Sequence, residues 1–241
     1  QARDGDFVDH AGRYRRTSEY IEILKACWTE TAPFSHEGEF YRFDSAHSAI
    51  RCAQAPRIPV YGGGGSDAAI AALAPHCDIF MLWGEPLADT VAFMTKVRNA
   101  AGANPIGFSV STRPILADSE DAAWQRAREI LEAIRASRGG RKAGTPQNVA
   151  SQRLLQAAAD AEVHDSCLYT ALAEASGAPG NSTALVGTPE TVAKAMLEYY
   201  KLGASRLLIR GYDPLNDAID YGKELIPRLR ELIAEEDQRS A

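Results

Sequence analysis

The sequence has little of what marks disulfide-rich, metal-binding or membrane proteins. Only four of the 241 residues are cysteines, and they are widely separated with no CxxC pair. This spacing argues against a disulfide framework and a zinc site, so we expect free, mostly buried thiols and no metal. No apolar run approaches the ~20 residues that a membrane-spanning helix needs, and no secretory segment is visible. These absences favour a cytoplasmic protein that has no membrane partner.

An excess of positive charge is also missing. The chain carries 26 basic and 32 acidic side chains, for a net charge of −6. This balance disfavours nucleic acid and anionic membranes as partners, although it leaves room for a local basic pocket. The hydrophobic share of 45% is enough for one α/β domain or two small ones. Because the chain begins with Gln1 rather than Met, we also expect it to be a piece of a longer protein.

The most informative stretch is a glycine-rich segment at residues 58–70, which reads IPVYGGGGSDAAI. A short apolar run enters four glycines, and the chain leaves them through Ser66 and Asp67, so the segment predicts a strand, a loop and a helix. Glycines let a ligand oxygen approach the main chain, and a helix start offers unpaired N–H groups, which together suit a phosphate. Ser66 or Asp67 could cap the helix, and the Ser66 hydroxyl could also donate to a phosphate oxygen.

The same segment allows other interpretations. It could be only a flexible connection between a strand and a helix. No lysine follows the glycines, so the segment lacks the GxxxxGK[ST] pattern of nucleotide phosphate loops. It is also a weak dinucleotide-binding fingerprint, because Asp67 stands where the third glycine of GxGxxG is expected.

Helical and strand-like patterns alternate along most of the chain, which indicates parallel βα units. The four predicted main strands lie at residues 58–61, 77–83, 106–112 and 205–211. Helices are predicted at residues 17–28, 68–75, 86–101, 119–136 and 215–235, and another begins behind Thr188 with Pro189 in its first turn. Residues 37–43 predict a small hairpin outside the main sheet. Between residues 138 and 183 the order is lost, and we interpret this part as a mobile insertion that covers a site.

Five short segments occur in the order and spacing of a known family. They are DHAGRY at residues 9–14, YGGGGSD at 61–67, WGEP at 83–86, TALVGTPE at 183–190, and RGY with a following proline at 210–214. In these segments the chain resembles the bacterial luciferase family of flavin-dependent oxidoreductases, and most of all its alkanesulfonate monooxygenase branch. The resemblance spans essentially the whole chain.

The resemblance implies an α/β fold of the (β/α)8 TIM-barrel type, and it begins just after the fourth strand of that barrel. Residues 1–241 would then form a single barrel domain that supplies about the last four strands, with residues 138–183 as an insertion before the last βα unit. Four open strands leave bare edges and an apolar face. We therefore expect the N-terminal strands to be missing from the chain or supplied by a partner, and we expect a homo-oligomer.

The chemistry that the resemblance implies is oxidation of a small organic substrate with reduced FMN and dioxygen, the FMN arriving from a separate flavin reductase. Tyr14 and the loop residues Gly64, Gly65 and Ser66 would bind the FMN phosphate, at the C-terminal end of a strand as in other barrel enzymes. Two alternatives stay open. One is a deazaflavin-dependent oxidoreductase of the same barrel type, and the other is a non-catalytic flavin-binding or partner subunit.

Three further candidates stand at or just beyond predicted strand ends. Trp83 could form a wall of the flavin or substrate pocket, or it could only pack. Arg113 could stabilise an anionic flavin or bind an acidic substrate, or it could be a surface arginine before Pro114. Tyr212 could donate a proton to the reacting oxygen, or it could only pack.

Some residues depart from the family pattern or carry less weight. Where the alkanesulfonate enzymes have an arginine and, two residues later, a histidine, this chain has Ser111 and Arg113. Residues 174–178 lack the arginine of that branch, which puts sulfonate specificity in doubt. Glu85 is interpreted as a carboxylate at a helix start, and His10 as a structural or exposed residue despite its closeness to the predicted phosphate site.

Overall fold

The computed structural model describes residue 3 and residues 5–139, 144 and 146–240. The chain divides into two compact units, one made of Gln1–Phe80 and Lys96–Ile106 and the other of Met81–Thr95 and Gly107–Ala241. The boundary falls inside strand β4 (Ile79–Trp83) and helix α3 (Leu87–Ala101). The single domain expected over residues 1–241 stays a prediction.

The first unit begins with a long helix and a hairpin. Helix α1 (His10–Thr29) starts where the Asp9 carboxylate accepts a hydrogen bond from Gly12 N at 2.7 Å, earlier than the predicted cap at Thr17 and Ser18. Strands β1 (Phe34–Glu37) and β2 (Arg42–Ala46) form an antiparallel sheet of their own. This confirms the hairpin that the sequence predicts outside the main sheet.

The glycine-rich segment forms the next two elements of the first unit. Strand β3 (Tyr61–Gly63) is followed by helix α2 (Asp67–Leu73), and α1 packs against α2. The chain enters β3 beside the start of β4, where the Val60 carbonyl oxygen accepts a hydrogen bond from Ile79 N at 3.2 Å. The predicted order of strand, loop and helix is confirmed.

The second unit contains a parallel pair of strands next to the end of β4. Strands β5 (Gly107–Thr112) and β10 (Ala204–Ile209) are parallel, with Ile209 opposite Thr112, and the strand order in this unit is β10-β5-β4. Most residues of β5 are buried, and Phe108 and Val110 belong to the core. The parallel pairing places the ends of β5 and β10 side by side.

A second sheet lies in the same unit and was not predicted. It has the order β6-β9-β8-β7, formed by β6 (Pro114–Leu116), β7 (Val163–His164), β8 (Leu168–Tyr169) and β9 (Ala184–Gly187). Strand β6 pairs with β9 in parallel, whereas β8 is antiparallel to both of its neighbours. Strands β7 and β8 belong to the segment that we interpret as a mobile insertion, so part of that segment has regular structure.

That segment also contributes two helices, α5 (Val149–Asp160) and α6 (Ala171–Ser176). Asn148 caps α5, its side-chain oxygen accepting from Ala150 N at 2.8 Å. Residues 140–143 and 145 of the predicted insertion lie outside the described residues. The mobility of residues 138–183 stays a prediction.

The remaining helices complete the second unit. They are α4 (Glu120–Ser137), α7 (Pro189–Lys201), α8 (Asn216–Asp220), a π-helical turn (Tyr221–Leu225) and α9 (Ile226–Ser240). Ser119 and Thr188 cap α4 and α7 as predicted. The single helix predicted for residues 215–235 is wrong in one respect, because the π-helical turn interrupts it. Helix α4 and β9 enclose a core that includes Leu131, Tyr169, Leu172 and Val186.

The strands of the described residues form open sheets and no closed barrel. All four cysteines are free, and Cys77 and Cys167 are buried, which agrees with the prediction of free thiols. Among the described residues, no helix is both long enough and apolar enough to span a membrane.

Candidate functional site

The glycine loop of the first unit is held at its start by a half-buried ion pair. Arg57 donates to both carboxylate oxygens of Asp78 at 2.6 and 2.9 Å, and Val60 N donates to Asp78 Oδ2 at 2.6 Å. Burial acts to raise the pKa of Asp78, but the hydrogen bonds from Arg57 and Val60 outweigh it and lower the pKa below its ordinary value. The carboxylate therefore stays charged and fixes the chain just before β3.

Ser66 ends the loop as the cap of α2. Its Oγ accepts a hydrogen bond from Ala69 N at 3.2 Å, as predicted for a helix cap. Because a hydroxyl that accepts one hydrogen bond still carries its own proton, Ser66 can donate to a ligand at the same time. The neighbouring Asp67 is exposed, and Lys96 neutralises it at 2.5 Å.

Gly64 and Tyr14 lie beside each other in this unit. A Cβ atom on Gly64 would lie 2.6 Å from Ala69 Cβ and 3.9 Å from the Tyr14 hydroxyl oxygen, so only glycine fits there. Gly64 and Gly65 are half-buried. Within the described residues, the Tyr14 hydroxyl has no hydrogen-bond partner, and the ring of His10 packs edge-on against the Tyr14 ring at 5.0 Å between centroids.

The residues predicted to bind a phosphate are thus partly brought together within the first unit. Tyr14, Gly64 and Ser66 offer a phenol, bare main chain and a hydroxyl, which are the donors that a phosphate oxygen accepts from. A bulky side chain is absent at Gly64 for a steric reason that the sequence alone could not reveal. The residues present therefore fit a phosphate group.

In the second unit, the end of β4 carries a buried carboxylate. Glu85 is 3% exposed, and Arg153 of α5 donates to its Oε2 through Nε at 3.0 Å and through a second guanidinium nitrogen. The Arg153 guanidinium also lies 3.9 Å from the centre of the Phe93 ring. Burial raises the pKa of Glu85, and Arg153 opposes that rise. Glu85 is therefore more than the helix-start carboxylate that the sequence suggests.

Trp83 lies two residues before Glu85 and packs against the insertion helices. Its side chain contacts a small buried cluster formed by Leu154, Ala173 and Ala178. This contact agrees with the packing alternative for Trp83. A role in the wall of a flavin or substrate pocket stays a prediction.

Arg113 and Tyr212 meet where β5 and β10 end. The Arg113 guanidinium carbon lies 4.2 Å from the centre of the Tyr212 ring, and one of its terminal nitrogens donates to the Gly211 carbonyl at 3.2 Å. Tyr212 is also in contact with the core under α4. Arg113 is thus not a free surface arginine, and the two residues named as catalytic candidates are in contact.

Polar atoms of this pair are buried without a partner. Arg113 Nε and the Tyr212 hydroxyl have no hydrogen-bond partner among the described residues, although both atoms are inaccessible to solvent. Burial raises the pKa of Tyr212 to about 12, so the phenol is protonated at neutral pH and able to donate. Unsatisfied buried polar groups are uncommon in native proteins and often mark a functional position.

The candidates of the second unit fall into two separate clusters. Arg113 and Tyr212 belong to one, whereas Trp83 belongs to the other, with α5 and α6. Sequence reasoning missed Arg153, because an arginine within alanine-rich helical material gives no signal of a distant partner. Among the described residues, no group of three or more histidine, cysteine, aspartate or glutamate side chains could hold a metal ion.

Comparison with known proteins gives the family and the fold. The model of the luciferase-like monooxygenase family matches residues 1–206. Similar solved structures include the riboflavin lyase RcaE, with 20% identity and a TM-score of 0.72 over 95% of this chain and 60% of that one. The EDTA monooxygenase EmoA from Chelativorans sp. BNC1 has 18% identity and a TM-score of 0.71 over 95% of this chain and 62% of that one.

A structure named for a different cofactor is also similar. An F420-dependent secondary alcohol dehydrogenase has 15% identity and a TM-score of 0.58 over 93% of this chain and 64% of that one. The chain thus spans less than two thirds of each of these structures. At such identities the likeness concerns the fold, which is of the α/β, TIM-barrel type. Since the family model covers most of the 241 residues, the chain belongs to the luciferase-like monooxygenase family.

Proposed function

We propose that this chain is part of a flavin-dependent monooxygenase that uses reduced FMN and dioxygen to oxidise a small organic substrate. Membership of the luciferase-like family supports the reaction class. The observation that carries the proposal is the Tyr14 hydroxyl beside Gly64, because a phenol with no partner among the described residues, next to bare main chain, suits an anionic group.

The FMN phosphate would be bound by the first unit. The main chain of Gly64 and Gly65 and the hydroxyls of Ser66 and Tyr14 would donate to its oxygens. Lys96 supports this assignment, since it neutralises Asp67 and so removes a charge that would repel the phosphate. Bound reduced FMN would supply the electrons that activate dioxygen.

The residues of the second unit would act at the substrate. Arg113 would stabilise negative charge on the flavin or on an acidic substrate, and Tyr212 would donate its phenol proton to the reacting oxygen. With its pKa raised to about 12, the Tyr212 phenol keeps its proton at neutral pH and can donate a hydrogen bond to that oxygen. Trp83 would exclude water as part of the pocket wall.

The finer fold assignment is also a proposal. The chain would supply about the last four strands of a (β/α)8 barrel, with the other strands contributed upstream or by a partner chain. Strand β10 supports this, since it lies at the edge of its sheet and exposes 58% of Leu208. We further propose a separate flavin reductase as a partner, and a homo-oligomer.

A second candidate is a deazaflavin-dependent oxidoreductase. The similarity to the F420-dependent alcohol dehydrogenase favours it, because that protein shares this fold. The phosphate donors of the first unit would suit either cofactor. The two candidates differ in their use of dioxygen.

The test is a titration of the intact chain with reduced FMN and, separately, with reduced F420. The proposal expects saturable FMN binding and dioxygen-dependent oxidation that is coupled to a product. Binding of F420 with hydride transfer and without dioxygen would favour the second candidate. FMN binding without reaction would indicate a non-catalytic subunit, and no binding of either cofactor would refute both enzymatic candidates.

A matched pair of variants tests the phosphate assignment. Ser66→Asp keeps a residue that caps helices as well as serine does, but it adds negative charge to the loop. FMN affinity should fall, as it should when Gly65 is replaced by a bulky residue. Ser119→Asp makes the same change at the cap of α4 and should leave the affinity unchanged. An equal affinity in Ser66→Asp and the wild type would reject the loop as the phosphate site.

A further inference from the structure

The segment that follows β10 is tightly held although it has no regular structure of its own. Residues 210–215 connect β10 to α8 and carry Tyr212. Its main chain is fixed on both sides of the tyrosine, since Arg113 donates to the Gly211 carbonyl at 3.2 Å, and Tyr212 N and Asp213 N both donate to one side chain. That side chain is Asp217 of α8.

Asp217 is buried and uses both of its carboxylate oxygens. It is 2% exposed. Oδ2 accepts from Tyr212 N at 2.7 Å and from Asp213 N at 2.9 Å, while Oδ1 accepts from a terminal guanidinium nitrogen of Arg126 at 2.5 Å. Hydrogen bonds to an ionised acceptor are about twice as strong as neutral ones, so this carboxylate fixes the loop firmly.

The loop is shaped to admit this carboxylate. A Cβ atom on Gly211 would lie 2.5 Å from both Cβ and Oδ2 of Asp217, closer than any side chain could tolerate. The glycine of the Arg-Gly-Tyr segment therefore lets Asp217 reach the amide of the tyrosine that follows it. The close approach of Asp217 to Gly211 and the hydrogen bonds from Tyr212 N and Asp213 N therefore depend on each other.

Arg126 connects the arrangement to the rest of the unit. From α4 it donates to Asp217, and its other terminal nitrogen donates to the Leu116 carbonyl at the end of β6 at 3.1 Å. The guanidinium balances the charge of the buried carboxylate, which would be costly without it. Asp217 is thus anchored to a helix and to a strand end outside the loop.

We propose that Asp217 is a positioning residue, which acts through the amides of Tyr212 and Asp213 to hold the Tyr212 ring against Arg113. This rests on the proposed function, in which Tyr212 and Arg113 act on the ligand. No described residue accepts a hydrogen bond from the Tyr212 hydroxyl or from Arg113 Nε. Both donors are thus held in place without an acceptor from the described residues, which is what a role toward a ligand requires.

Asp217→Asn tests the proposal, because asparagine keeps the shape but can neither bind Arg126 as an ion pair nor accept as strongly. Hydrogen–deuterium exchange of the intact chain without cofactor measures the two amides. Exchange of Tyr212 and Asp213 should become about tenfold faster, as expected when a charged acceptor is replaced by a neutral one. Asp213→Asn is the matched control, since it alters an exposed carboxylate of the same loop that, among the described residues, accepts only from residues 215 and 216.

Steady-state oxidation of reduced FMN by dioxygen supplies the second readout. Asp217→Asn should lower kcat towards the value of Tyr212→Phe and leave the KM for reduced FMN within about twofold, because a positioning residue of Tyr212 acts after cofactor binding. Arg126→Lys, which keeps a cation beside Asp217, should show a smaller change of both readouts. It replaces Asp217→Asn as the test variant if the latter does not fold.

The outcomes separate this proposal from the proposed function. Faster exchange together with lower kcat supports the positioning role. Unchanged exchange of the two amides overturns it, and so does faster exchange with wild-type turnover. If the wild-type chain oxidises no flavin, the proposed function fails, and exchange alone decides whether Asp217 holds the loop.

Discussion

Arg153 covers the buried carboxylate of Glu85 and joins α5 to the end of β4. The guanidinium donates to Glu85 Oε2 through two nitrogens and lies over the ring of Phe93. The main chain of the same strand end is held as well, since Tyr199 donates its hydroxyl proton to the Glu85 carbonyl at 2.6 Å. The pair therefore fixes the helix of the predicted insertion next to Trp83.

Arg153→Met should destabilise the protein by about 3 kcal/mol, the lower end expected when a buried ion pair loses one partner. The loss of stability is at the low end because the Arg153 side chain is 28% exposed. Urea unfolding measures the change. Adding Glu85→Gln should recover much of the loss, because the double variant no longer buries a charge. A double variant as unstable as Arg153→Met would show that packing of the arginine over Phe93, and not the charge, supports the site.

The pair of Arg153 and Glu85 also predicts how the stability deficit of Arg153→Met changes with pH. Burial raises the pKa of Glu85 in the folded protein, and loss of the opposing Arg153 should raise it further. A carboxyl with a raised folded pKa stabilises the folded state below its unfolded pKa and loses that contribution as pH rises through the folded value. The stability deficit of Arg153→Met should therefore be largest at neutral pH and shrink towards pH 4. A deficit that is independent of pH would contradict this.

Gly62 and Cys77 allow a second test, at the start of the glycine loop. A Cβ atom on Gly62 would lie 2.5 Å from Cys77 Sγ but 3.4 Å from Cys77 Cβ. Gly62→Ala should thus cost roughly 1–3 kcal/mol, the usual range for overpacking a core. In a Cys77→Ala background the sulfur is gone, and Gly62→Ala should cost much less. Equal costs of Gly62→Ala in the two backgrounds would refute the proposed contact as the reason for this glycine.

Tyr212→Phe should separate stability from function. The hydroxyl is buried without a partner in the described residues, so its removal should stabilise the ligand-free protein by about 1 kcal/mol. Flavin-dependent turnover should fall, because the variant has no phenol proton to donate. Thermal unfolding and steady-state kinetics of the same preparation measure both effects. A variant that loses stability and keeps turnover would show that the hydroxyl is structural.

Much of the fold could be predicted because alternating strands and amphipathic helices leave a periodic pattern. Strands β4, β5 and β10 and the caps at Ser66, Ser119 and Thr188 lie close to where the sequence predicts them, whereas β3 begins at Tyr61, where its predicted strand ends. The second sheet was missed because β7 and β8 are two residues long, too short for a period. The π-helical turn after α8 was missed because its residues continue the helical pattern.

The candidate site was predictable to a smaller extent. Arg113 and Tyr212 could be named from the family resemblance and from the strand ends that carry them, because the ends of parallel strands lie side by side. Asp217 and Arg153 could not, since each acts through a partner that is distant in sequence. The reason for Gly211 is likewise tertiary, as it is the Asp217 side chain that leaves no room for a Cβ atom.

The ion pair of Glu190 in α7 and Arg228 in α9 should determine part of the loss of folding stability at low pH. Arg228 donates to both oxygens of Glu190, at 2.5 and 3.2 Å, and Lys194 binds the same carboxylate at 3.0 Å. The hydrogen bonds from Arg228, and then those from Lys194, lower the pKa of Glu190 to about 2. A carboxyl with a lowered folded pKa contributes stability above its unfolded pKa, near 4.5, and loses it as pH falls towards 2.

Glu190→Gln should therefore lower stability at neutral pH and flatten its decline between about pH 4.5 and pH 2. Because the pair is exposed, the effect should also shrink at high salt. Glu231→Gln is the control, since Glu231 binds the same arginine from within α9 and cannot join the two helices. Urea midpoints across this pH range at low and high salt measure the difference. If Glu190→Gln and the wild type decline in parallel below pH 4.5, α7 and α9 are held together by their apolar contacts alone.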